Sequence, residues 1–114
     1  MKIILFSLLF MFSKNIYASN ICEDVPKLEK ISYIPPVSMK VIGTGRLQFH
    51  ASTFKECAIQ GLFIIPNDSV IGYSTSLDDK WTEVMYVHPK THKDSSGWVD
   101  SSRLKITGTI APKR

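Results

Sequence analysis

Several residues of this 114-residue chain could carry chemistry. They are His50, His88 and His92, Cys22 and Cys57, the neighbours Asp78 and Asp79, and the aromatic residues Tyr73, Trp81, Tyr86 and Trp98. A metal site needs several ligands at workable spacing. Only His88 and His92 are close in sequence, they span the turn at Pro89, and no third ligand is suitably placed, so the histidines read as solvated loop residues. Glycosidase carboxylates face each other about 5–10 Å apart across a cleft. Adjacent aspartates at a turn point apart into solvent instead. A nucleophile needs an activating base beside it; no Gly-x-Ser-x-Gly elbow is present, and both cysteines are expected to be oxidised. The expectation is a non-enzyme with no metal and no cofactor.

The aromatic residues suit binding better, because their faces stack on sugars and pack on extended peptide. Tyr73, Trp81 and Trp98 fall on or beside turns, and with Arg46 they form the expected ligand-binding set. Trp98 fits a core position equally well, and Tyr86 is assigned to the core. Arg46 and Arg103 are placed to flank such a patch and meet a carboxylate, with a plain solvated charge as the alternative.

These residues follow an N-terminus that reads as an export signal. Lys2 precedes a ten-residue run, Ile3 to Phe12, broken only by Ser7, and Ala18 offers a small residue for cleavage. The run is shorter than the roughly 20 apolar residues of a membrane-spanning helix. Ser19 and Ile21 do not fit a lipid-attachment site before Cys22, so the expected mature form has no membrane anchor. Removing 18 of 114 residues leaves 96, and loss of Lys2 and Lys14 lowers the formal charge from +4 to +2. The remaining cations are dispersed, which argues against nucleic acid as partner. Two cysteines in a small exported chain imply a Cys22–Cys57 disulfide. Closing a loop of that length stabilises by roughly 3–4 kcal/mol on the chain-entropy model.

Residues 19–36 are expected to be irregular, because Pro26, Pro35 and Pro36 interrupt any regular element. From Val37 onward, short apolar and β-branched bursts alternate with turns. The bursts are 39–42, 46–50, 62–65, 70–75, 81–88, 98–99 and 104–107; the turns include Gly43-Thr44-Gly45, Pro66-Asn67-Asp68 and 89–97, of which 89–94 is a polar excursion between two strands. Such spacing predicts a sandwich or barrel. About 70 residues of short strands favour a strongly bent barrel of five to six strands over residues 37–108, with 109–114 as a disordered tail. The expected core is Leu47, Phe49, Phe63, Ile65, Val70, Val84, Tyr86, Val99 and Leu104.

The order of motifs resembles bacterial SH3-like (SH3b) domains. It runs from Gly45-Arg46-Leu47-Gln48-Phe49-His50 through Phe63-Ile64-Ile65-Pro66-Asn67-Asp68-Ser69-Val70 and Trp81-Thr82-Glu83-Val84-Met85-Tyr86. It closes on Gly97-Trp98-Val99 with Leu104 five residues beyond. The likeness spans about Val41 to Ile106 and implies an SH3-like barrel with a one-turn 3₁₀ helix near Asp100-Ser101-Ser102. The chain departs from the family at His50-Ala51-Ser52-Thr53, where Arg-Ser-Gly-Pro is usual, and in its cysteines and N-terminal extension. The implied role is an exported, non-enzymatic module, periplasmic or secreted, that recognises peptidoglycan (peptide stem or glycan) or an envelope protein. The alternative is a periplasmic inhibitor or immunity protein that blocks a toxic effector enzyme, with the 89–96 loop and the N-terminal wrap as contact surfaces.

Overall fold

Seven strands follow one another in the computed structural model, which describes Cys22 and residues 29–110. They are β1 (Lys30–Val41), β2 (Leu47–His50), β3 (Ala58–Ile64), β4 (Ser69–Ser76), β5 (Trp81–Val87), β6 (Asp94–Asp100) and β7 (Leu104–Thr109). One-turn 3₁₀ helices at Lys55–Cys57 and Ser101–Arg103 precede β3 and β7. The expected signal peptide and its cleavage point at Ala18 lie outside the described residues, as do residues 111–114.

All pairings are antiparallel, in the order β3-β2-β6-β5-β4-β1-β7. The fold is therefore all-β, as the spacing of bursts and turns predicts. Two expectations are corrected. Among the described residues there are seven strands rather than five or six, and the sheet they form does not close into a barrel, because β3 and β7 remain as its edges. It nevertheless curls strongly. Val37, Met39 and Val41 of β1 share one core with Leu47 and Phe49 of β2 and Ile64 of β3, from the opposite end of the sheet. A flat sheet cannot bring those strands together.

Regular structure also begins earlier than expected, at Lys30. Pro35 and Pro36 are accommodated because the β1–β4 register shifts between Ser32 and Val37, where the prolines owe no donor to that ladder. The turn expected over 89–97 is shorter, while the polar excursion expected over 89–94 is present: His88 N donates to Lys93 O, and β6 begins at Asp94.

Strand parity sets the core. Leu47 and Phe49 point inward and Gln48 and His50 outward, as their alternation predicts. In β3 the expectation fails. Leu47 pairs with Ile64, so Ile64 is buried while Phe63 and Ile65 are exposed. Four apolar residues in a row carry no parity of their own, and only register decides. Tyr86 and Leu104 pack against the core while partly buried. Gly97 is demanded by closeness, since a Cβ there would lie 3.0 Å from His50 O and 3.1 Å from Phe49 Cδ2.

Candidate functional site

The outer face of the sheet carries the site. Trp98 stands opposite Glu83 on β5 and opposite His50 on β2, so these three share a face. Alternation puts Trp81 and its partner Asp100 on that face too, while Thr82, Val84 and Val99 turn to the core. Outside the core side, Trp98 is still only 2% exposed. The expected binding role for Trp98 is thus corrected: its ring is covered and offers no surface to a ligand. Trp81 is half-buried, with the His50 ring set edge-on at 4.7 Å between centroids and 71° between planes. The buried Nδ1 of His50 has no hydrogen-bond partner among the described residues.

Three adjoining hollows meet at Trp81. The largest, about 510 Å³, is bordered by Lys55, Lys80, Asp79 and Asp100. A second, of about 430 Å³, is bordered by Arg46, His50, Lys55, Asp100 and Arg103. A third, of about 260 Å³, is bordered by Glu29, Thr53, Ser76 and Asp78. Together they form an open groove with the indole as its common wall.

The backbone holds the wall in place. Cys57 bonds to Cys22 with Cα atoms 5.4 Å apart, as the cysteine count implies. Ala51 N donates to Cys57 O and Cys57 N to Phe54 O, so the segment bearing Lys55 is pinned at its base. Asp100 Oδ1 accepts from the N–H and hydroxyl of Ser102, capping the second 3₁₀ turn. Asp78 Oδ1 accepts from the Ser76 hydroxyl at 2.6 Å and from Lys80 N at 3.1 Å. Those two bonds, the hydroxyl foremost, hold the Asp78 carboxyl below its ordinary pKa.

The two arginines divide their work. Arg103 Nε donates to Ile42 O at 2.6 Å and Nη2 to Gly45 O at 2.7 Å, so its donors clamp the Gly43–Arg46 turn. Gly43 is required there: its φ is +89°, and a Cβ would lie 2.6 Å from Arg103 Nε. Arg46 lies over the exposed Phe63 ring at 4.2 Å, a cation–π contact, and borders the second hollow. Tyr73 is exposed at the irregularity between Gly72 and Ser74 and borders none of the three hollows. Of the expected set, the structure thus brings Trp81 and Arg46 together and leaves Trp98 and Tyr73 out.

Lys55, Asp78, Lys80 and Glu29 complete the groove without having been legible as binding residues. The only signal for Lys55 is its place two residues before Cys57. Asp78 sits at a turn, where carboxylates commonly cap backbone. Among the described residues, no cluster of three or more His, Cys, Asp or Glu side chains is arranged to hold a metal. In comparison with known proteins, the chain matches no family model, no curated protein and no solved structure.

Proposed function

We propose that this chain is a non-enzymatic, exported binding module of SH3-like plan that grips peptidoglycan, by peptide stem or glycan, in the groove along Trp81. The observation that carries the reading is the position of Trp81. A half-exposed indole forms the shared wall of three hollows on a disulfide-pinned sheet. Aromatic faces of this kind stack on sugar rings and pack on extended peptide, and a rigid scaffold keeps the ordering cost of binding low. The order of motifs from Gly45 to Leu104 and the apolar N-terminal run support an exported SH3-like module, periplasmic or secreted.

The test is co-sedimentation of the oxidised mature chain with purified peptidoglycan, beside Trp81→Ala. The wild type is expected in the pellet and the variant in the supernatant. A wild type that stays in the supernatant at every salt concentration removes peptidoglycan as the ligand. Affinity capture of one envelope or effector protein would then favour the inhibitor reading.

A further inference from the structure

The groove at Trp81 is electrically polarised. In the second hollow three cations, Arg46, Lys55 and Arg103, meet one carboxylate, Asp100, whose Oδ1 is already engaged by Ser102. The third hollow, which also borders the indole, is bordered by Glu29 and Asp78 and, among the described residues, by no cation. The Ser76 hydroxyl and Lys80 N donate to Asp78 and favour its charged form. Among the described residues neither end carries an ion pair: the one there is Lys30–Glu83, which borders none of these hollows, and the Lys80 side chain acts on Asp78 only as a nearby charge. Arg103 spends its shortest hydrogen bonds on Ile42 and Gly45, which leaves Lys55 and Arg46 as the cations of this hollow whose side-chain donors take no partner among the described residues.

We propose that the groove takes an extended zwitterionic peptide, with a carboxylate at the Arg46–Lys55 end, an ammonium at the Glu29–Asp78 end, and the intervening chain packed on Trp81. Charge complementarity at both ends fixes the ligand's direction, which an aromatic wall alone does not. The inference rests on the reading of the Trp81 groove as the binding site and deepens it by naming the ligand's charge pattern and polarity.

The experiment uses peptidoglycan in three forms: untreated, with its carboxylates converted to amides, and with its free amines acetylated. Each is sedimented with the oxidised wild type, Lys55→Ala, Asp78→Asn and, as a control away from the groove, Lys105→Ala. Asp78→Asn keeps the Oδ1 acceptor, so the turn survives the change. The wild type is expected to lose about tenfold in affinity on either modification, a typical size for one charge-assisted hydrogen bond. Lys55→Ala should bind the untreated form about as weakly as the wild type binds the amidated one, and should lose little more on amidation. Asp78→Asn should show the same indifference to acetylation. If the wild type binds all three forms equally, or if Lys105→Ala loses as much as Lys55→Ala, the polarity is overturned while peptidoglycan binding stands. If the wild type binds none of them, both readings fall.

Discussion

Trp81 and Trp98 share one face of the sheet on neighbouring strands, yet one is half-exposed in a groove and the other is 2% exposed. Pairing register puts them on the same side, so the sheet itself does not distinguish them. Position along the strand does. Trp81 opens β5 opposite Asp100 at the end of β6, where the sheet meets turns. Trp98 is flanked on both sides, by Glu83 and by His50, and His50 leads straight into the segment that carries buried Ser52 and Cys57. The lesson is that a tryptophan outside the principal core can still be structural when a stapled segment lies beside it.

Substituting the two rings sharpens this contrast most. Trp98→Ala is expected to destabilise by about 3–5 kcal/mol, as for other large buried aromatics. Trp81→Ala should cost under about 1 kcal/mol while abolishing sedimentation with peptidoglycan. Denaturant midpoints measure both, and equal losses would dissolve the distinction between them. Replacing Cys57 with Ser comes next, with an expected loss of about 2–4 kcal/mol. The same change should open Trp98 to acrylamide quenching, since the segment after His50 is no longer stapled. A Trp98 that stays shielded in that variant would show that the disulfide has no part in covering it.

Arg103→Ala should cost less, about 1–2 kcal/mol, by releasing the carbonyls of Ile42 and Gly45 from a charged donor. Slowed proteolysis at Gly43–Arg46 in the wild type relative to the variant would check it. The smallest effect concerns pH. The Asp78 carboxyl is held below its unfolded pKa, chiefly by the Ser76 hydroxyl. Its contribution to stability is therefore present above the ordinary carboxylate range and fades as pH falls through the lower folded value. Urea midpoints of wild type and Asp78→Asn should differ near neutral pH and converge in acid; a gap that widens in acid would reverse the sign.

Much of the fold was legible in the sequence for physical reasons. Alternation in β2 and β5 exposed their parity, and Asn67, with φ of +77°, marks the turn that Pro66-Asn67-Asp68 predicts. An even cysteine count in a small chain gave the pairing. The rest depended on long-range register. The run Leu62–Ile65 is apolar throughout, so only its ladder with β2 could assign Ile64 to the core. The prolines of β1 hid a strand that tolerates them at a register shift. Trp98 sits in a Gly-Trp-Val run that reads alike for core and surface. The groove's charges were hidden because Lys55, Asp78 and Glu29 come from separate segments that only the fold brings to Trp81.

The central claim is that ligand lies against Trp81, and fluorescence quenching tests it most directly. Solubilised peptidoglycan fragments would be added to the oxidised protein, with binding followed in parallel by equilibrium dialysis, and acrylamide quenching of tryptophan emission measured at saturation. The expected result is protection of the accessible tryptophan, with Trp98 already shielded in the free protein. Fragments that bind by dialysis while quenching stays unchanged would contradict the account, because their site would then lie away from Trp81.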